Sequence, residues 1–176
     1  MYDSVILVDL QDVPLGAAEK LKAHQEGWCH RAFSVFIYRR GDGQSIEFLL
    51  HQRAAGKYHT PNLWTNTCCS HPRPEEETSA AAHRRLREEM GIVSRLHWVG
   101  QFHYIAKLEM GLVENEVDHV FVGTLNEWIE KPDLHEVQAY RWVGLQEIQK
   151  ELSTSPAQFT PWFQQALSIA IKGIQP

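Results

Sequence analysis

Residues 66–92 read N-T-C-C-S-H-P-R-P-E-E-E-T-S-A-A-A-H-R-R-L-R-E-E-M-G-I. The second half of this stretch carries the local signals of a helix. Ala82, Leu86 and Met90 recur at i, i+4 and i+8 and make one apolar stripe. Glu75, Glu76 and Glu77 favour the positive end of that helix, Thr78 can cap it, and Gly91 can close it. The spacing therefore predicts a helix over 78–90. Arg85 and Glu89 lie one turn apart on a neighbouring face. Just ahead of the helix a thiol, Cys69, and an imidazole, His71, stand two residues apart. In extended backbone such a pair points to one side.

Outward from this stretch the chain alternates strands and helices. Toward the N-terminus, residues 4–10 read as a strand and 11–16, with Pro14 and Gly16, as a turn. Residues 17–24 read as a short helix with Leu21 on its inner face. Residues 32–39 read as a buried strand, 40–44 (R-G-D-G-Q) as a hairpin turn, and 45–52 as the returning strand. Residues 53–63 are irregular, broken by Gly56 and Pro61. Toward the C-terminus, strands are expected over 97–107 and 113–125 with a turn at Gly111, and another over 137–143. Helices are expected over 145–152 and at the end of 155–174. This order predicts a mixed sheet sandwiched by helices in one α/β (α+β) domain spanning 1–176.

Bulk properties narrow the function. The chain's 176 residues suit one domain with a sizeable core. No apolar run approaches the roughly 18 residues of a membrane helix, and the N-terminus shows no basic leader or cleavage site. A net charge of −5 argues against a nucleic-acid partner, so an anionic substrate needs local cations or a metal. Cys29, Cys68 and Cys69 form no C-x-x-C and no even set, so neither a disulfide framework nor a zinc knuckle is expected. The cytoplasm is the natural setting.

V-E-N-E-V at 113–117 lies within an apolar strand, so Glu114 and Glu116 share a face while Val113, Asn115 and Val117 point away. Two carboxylates that close repel each other, and a bound cation is the usual remedy. The plain alternative is two solvated glutamates on an open sheet face. His24, His30 and His71 weaken that alternative, because three imidazoles with two carboxylates would suit manganese, magnesium or zinc. Taken singly, each histidine reads as a surface or core residue. His51, His59, His83, His97, His103, His119 and His135 are left to that reading.

The Nudix box has the form G-x5-E-x7-R-E-U-x-E-E-x-G-U, with U apolar. Laid on Ser70 to Ile92, it matches at Glu76, Arg84, Leu86, Glu88, Glu89, Gly91 and Ile92. Ser70 replaces the first glycine and Arg85 replaces a glutamate. Trading an acid for a guanidinium keeps affinity for phosphate but removes a ligand needed for hydrolysis. Beside this stand H-R-A-F-S (30–34), W-T-N-T-C-C-S-H-P (64–72), Y-I-A (104–106), V-E-N-E-V (113–117) and P-W (161–162). Together they cover the chain from His24 to Trp162. In this set the chain resembles the type I isopentenyl-diphosphate isomerases, a branch of the Nudix superfamily. The interval from His24 to His30 is one residue shorter than in some relatives, and the C-terminal tail is short.

The resemblance implies the Nudix fold and roles by position. His24, His30, His71, Glu114 and Glu116 correspond to the ligands of one divalent metal (Mn, Mg or Zn). Cys69 corresponds to the catalytic thiol, with Cys68 packing inward. Tyr104 corresponds to the tyrosine that hydrogen-bonds the acid, Glu116. Arg53, Lys57 and Arg85 correspond to diphosphate-binding cations, and Glu89 to the ligand of a magnesium bound with the diphosphate. Trp162 and Ser34 fall at substrate-contacting positions. The implied reaction turns isopentenyl diphosphate into dimethylallyl diphosphate: Glu116 protonates one carbon and Cys69, as thiolate, deprotonates another from the opposite face. The implied partner is that small molecule, with no nucleic acid and no membrane, in a cytoplasmic monomer or homodimer. Two rival readings are a metal-dependent Nudix diphosphate hydrolase, which Arg85 and the C-x-H pair oppose, and a non-catalytic metal-binding module.

Overall fold

The computed structural model describes residues 3–174 apart from 42, 44 and 126. Its N-terminal part contains β1 (Ser4–Val8), β2 (Pro14–Glu19), α1 (Lys20–Glu26), β3 (His30–Arg40) and β4 (Ile46–Arg53). Then come β5 (Trp64–Thr65), β6 (Cys68–Ser70), α2 (Thr78–Met90), β7 (Ile92–Val93) and β8 (Leu96–Lys107). The C-terminal part holds β9 (Val113–Thr124), β10 (Glu127–Trp128), β11 (Val137–Gly144), α3 (Leu145–Thr154) and α4 (Phe163–Ile174).

Residues 32–37, A-F-S-V-F-I, are buried without a break, the pattern of a strand covered on both faces. β3 is accordingly the spine. Along one edge it runs parallel to β9, His30 opposite Glu116 and Tyr38 opposite Thr124. Along its other edge it meets β1, then β6, then β4, all antiparallel. β11 and β5 extend β4, β2 extends β1, and β8 pairs antiparallel with β9. Nine strands join this sheet among the described residues, while β7 and β10 pair apart from it.

Alternation along β3 feeds two cores. Phe33, Val35 and Ile37 point to one face and pack with Ala81, Ala82, Leu86 and Met90 of α2. Phe36 points to the other and packs with Ile148 of α3 and Phe163, Ala166 and Leu167 of α4. Helices thus cover both faces, as expected from the element order. No helix among the described residues is long and apolar enough to cross a membrane.

The structure differs from the sequence expectations in three places. Residues 14–16 are strand, not turn: the Asp9 carboxylate accepts from the N–H groups of Gln11 and Val13, closing the chain reversal earlier. Pro14 is then the first residue of an outer strand, where its missing N–H costs nothing. The first helix consequently begins at Lys20, capped by the Glu19 carboxylate, and the phase shift leaves Leu21 42% exposed while Ala23 and His24 turn inward. For α2, Thr78 is the first helical residue and not the cap; Glu77 takes that position without a side-chain hydrogen bond. Gly91 closes α2 at φ 65°, as expected. In the 40–44 turn, Asp42 and Gln44 lie outside the described residues, and Gly41 N–H donates to Ser45 C=O at 2.8 Å.

Candidate active site

The pleat collects one set of residues. Ser34 stands opposite Cys69 on β6, His30 opposite Glu116 on β9, and Glu116 opposite Tyr104 on β8. Directly opposed residues share a face, so Cys69 and Glu116 project to the same side from the two strands that flank β3. Cys69, His71, Glu114, Glu116 and Trp162 line one cleft together with Arg53, Lys57, Arg85 and Glu89.

The imidazoles are oriented by the backbone. His24 Nδ1 donates to the Lys20 carbonyl at 2.7 Å and His30 Nδ1 to the Trp28 carbonyl at 2.8 Å. A carbonyl can only accept, so each neutral ring carries its proton on Nδ1 and a lone pair on Nε2. Those Nε2 atoms, and Glu114 Oε2, are buried without a hydrogen-bond partner among the described residues. Yet His24 Nε2 lies 3.3 Å from Glu114 Oε2 and His30 Nε2 3.2 Å from Glu116 Oε1. Lone pairs facing carboxylate oxygens fit a cation placed among them. One ligand atom each from His24, His30, His71 and Glu116 fall within 4.8 Å of one another, and so do those of His24, His59 and Glu114. The residues present can therefore hold a divalent metal. Glu89 is in neither group.

The carboxylates are not equivalent. Burial and the neighbouring Glu116 charge push Glu114 well above the usual range. Burial acts the same way on Glu116, but the adjoining His30 and His71 imidazoles overcome it and hold this carboxyl well below. The Tyr104 hydroxyl donates to Glu116 Oε2 at 2.6 Å and is itself pushed up by burial and by Glu114. Burial takes His71 down to about 4 against the pull of Glu116.

Cys69 lies beside a cation. Arg53 Nη1 approaches Sγ at 3.8 Å, and the same guanidinium is held by the carbonyls of Thr60 and His59. Burial pushes the thiol up to about 12 in spite of Arg53, so the sulfur carries a proton in the resting site. Arg53 also sits 5.7 Å over the Trp162 ring, whose Nε1–H donates to Asn66 Oδ1 at 3.2 Å. Cys68 points to the α2 face and is fully buried, as expected.

At the far end of the cleft, Arg85 donates to Glu89 at 2.5 Å, to Glu88 at 2.9 Å and to Glu136 at 3.1 Å. Lys57 pairs with Glu136. Ser34, expected against substrate, is instead fully buried and donates its hydroxyl to Asp118 Oδ2 at 2.8 Å. The register opposite Cys69 puts it on the cleft side of β3, where it sits deep against Asp118, itself a lining residue.

Several wall residues escaped the sequence reading. His59 comes from the irregular 54–63 segment and reaches Glu114 Oε1 at 3.3 Å. Nothing local marked it, since its neighbours Tyr58 and Thr60 carry no pattern. Asp118 continues the i, i+2 series of Glu114 and Glu116, and that alternation was the available signal. Lys20 and Glu136 lack any motif.

The profile of the NUDIX domain matches residues 28–163. Over 171 residues the chain is 47% identical to an isopentenyl-diphosphate Delta-isomerase of Photobacterium profundum, covering 96% of this chain and 94% of that one. It is 43% identical to the protein of the same name from Burkholderia multivorans, over 93% and 90% of the two chains. Among solved structures, a protein of Deinococcus radiodurans superposes with TM-score 0.72 over 95% of this chain and 99% of that one, at 13% identity. A NUDIX hydrolase from Nitrosomonas europaea superposes at 0.61 over 81% and 88%, at 19% identity. At these identities the structural likenesses speak to the fold.

Proposed function

The chain belongs to the NUDIX family, in its isopentenyl-diphosphate Delta-isomerase branch, and from that premise we propose how this cleft works. The protein is an isomerase that converts isopentenyl diphosphate to dimethylallyl diphosphate. One observation supports the residue assignments most directly: a thiol and a tyrosine-bound carboxylate project into one cleft from strands on either side of β3.

Protonating an unactivated alkene creates a tertiary cation, which is costly in water. The chemistry needs an acid placed over one carbon and a base over another, with water kept out. In this reading Glu116 gives its proton to the terminal carbon while Tyr104 holds Oε2 in place. The Trp162 indole faces the developing cation and stabilises it by roughly 1–2 kcal/mol when desolvated. Cys69 Sγ then removes the proton from the neighbouring carbon. The resting thiol and the ionised Glu116 hold the same single proton that forward turnover needs as thiolate and carboxylic acid.

A divalent metal (Mn, Mg or Zn) held by His24, His30, His71, Glu114 and Glu116, and a magnesium met by Glu89 with the diphosphate, would supply positive charge to acidify the proton donor and offset the anions. Lys57 and Arg85 receive the diphosphate, and Arg53 borders both phosphate and sulfur. This grip orients an otherwise featureless five-carbon chain. Arg85 stands where a hydrolytic relative has a carboxylate, which removes a metal ligand and so disfavours diphosphate cleavage.

Proton NMR of isopentenyl diphosphate in deuterated buffer, run beside a phosphate-release assay, tests the reading. Dimethylallyl signals with deuterium in a methyl group and no released phosphate are expected. Phosphate release without isomerisation would overturn it.

A further inference from the structure

Glu136 belongs to no motif in this chain, yet its carboxylate reaches into the cleft. It sits immediately ahead of β11, and its backbone is anchored on both sides. Its carbonyl accepts from Ala54 N–H at 2.9 Å, and its own N–H donates to Asp133 C=O at 3.0 Å. From this fixed base the carboxylate bridges two cations. Oε2 meets Lys57 Nζ, and Oε1 accepts from Arg85 Nη2 at 3.1 Å. Burial acts to raise this carboxyl, but Lys57 and Arg85 overcome it and hold the group below its ordinary range. The three side chains are only 22–25% exposed, so their charges are poorly screened.

A carboxylate lodged between an ammonium and a guanidinium satisfies the same donors that phosphate oxygens would. We propose that Glu136 is an internal counter-ion that occupies the position between Lys57 and Arg85 and must be displaced by the ligand's phosphate oxygens. The inference rests on the reading that these two cations receive the diphosphate. It makes Glu136 a specificity-determining residue. A diphosphate carries enough charge and oxygens to take both cations from one carboxylate, whereas a single phosphate competes poorly. Discrimination of this kind comes from a built-in competitor rather than from an added attraction. It also keeps the cleft from trapping its diphosphate product.

The test is competitive inhibition by inorganic pyrophosphate and by inorganic phosphate, each with magnesium at fixed ionic strength. A Glu136→Gln variant is near in shape but carries no charge. It should bind pyrophosphate about fivefold more tightly or better, and phosphate by a larger factor, so that the preference for pyrophosphate narrows. The gain should shrink below about twofold in a Lys57→Met background, because the competitor then has one cation fewer to release. If the glutamine variant folds poorly, Glu136→Asp withdraws the carboxylate by one methylene and should tighten pyrophosphate to a smaller extent. Unchanged or weaker pyrophosphate binding in these variants would make Glu136 an orienting residue and overturn the proposal. A wild-type enzyme insensitive to pyrophosphate would instead overturn the diphosphate reading beneath it.

Discussion

The Tyr104 hydroxyl donates to Glu116 Oε2 at 2.6 Å, and the two residues stand directly opposite each other across β8 and β9. The second oxygen of the same carboxylate meets His71 Nε2 at 2.8 Å and His30 Nε2 at 3.2 Å. One carboxyl group is therefore tied to the phenol on one side and to the imidazoles on the other. Removing either attachment should be visible separately.

Glu116→Gln removes the proposed acid while keeping its shape. Incorporation of solvent deuterium into the substrate methyl should stop, with turnover down by on the order of 10²–10⁴. Tyr104→Phe removes one hydrogen bond and should lower kcat roughly tenfold with little change in KM. Methyl exchange persisting in Glu116→Gln, followed by NMR, would contradict the assignment.

Cys69→Ala should bind substrate normally and lose turnover, since Sγ is the proposed proton acceptor and Arg53 remains in place. The loss should exceed about 100-fold. Turnover within tenfold of wild type would rule out a scheme with a sulfur base.

Chelator treatment should lower the melting temperature, and adding manganese, magnesium or zinc back should raise it, by more for a tighter-binding metal as the logarithm of its concentration over Kd. The physical cause is the set of buried lone pairs on His24, His30 and Glu114. His24→Ala or Glu114→Gln should reduce the metal-induced shift. Scanning fluorimetry with and without chelator checks this independently of activity, and an identical melting curve in both conditions would count against the site.

Acid should weaken the fold partly through His51. This ring is buried with Nδ1 on the Thr67 carbonyl, and burial, aided by the Arg53 charge, takes it from its usual 6.5 to about 4. The unfolded chain then binds the extra proton below 6.5 and the native state does not. The contribution is complete above 6.5 and is lost as pH falls from there toward 4, amounting to about 3 kcal/mol. His51→Gln should flatten the melting temperature against pH across this window. An unchanged slope would place the acid sensitivity elsewhere.

Gly91→Ala should destabilise the protein by at least about 2 kcal/mol. At φ 65° the added Cβ would be placed 2.1 Å from the Glu130 carbonyl oxygen. A urea melt measures it. A loss below half a kilocalorie would show that the α2 terminus can rearrange.

The helix over 78–90 was legible because its information is local: an apolar stripe, an acidic approach and a glycine stop. Its bounds agree with the structure. The i, i+2 spacings of Cys69 with His71 and of Glu114 with Glu116 likewise predicted which side chains share a face, because a strand alternates whatever surrounds it. The start of α1 was misread by three residues, because the Asp9 turn and the β1–β2 pairing outweigh helix propensity there.

The residue sequence by itself therefore determined the types of the long elements, the matched box and the chemical inventory of thiol, imidazoles and acids. Only the tertiary structure decided which of them meet. Pairing β3 parallel with β9 sets His30 against Glu116, and pairing it with β6 sets Ser34 against Cys69 on the same face, where Asp118 takes up the serine hydroxyl. It also delivers His59 to Glu114 from a loop, and Glu136 to Lys57 and Arg85 across 79 and 51 residues of chain. Such meetings depend on strand register and loop path, which are settled by the packing of both cores and leave no trace in local spacing.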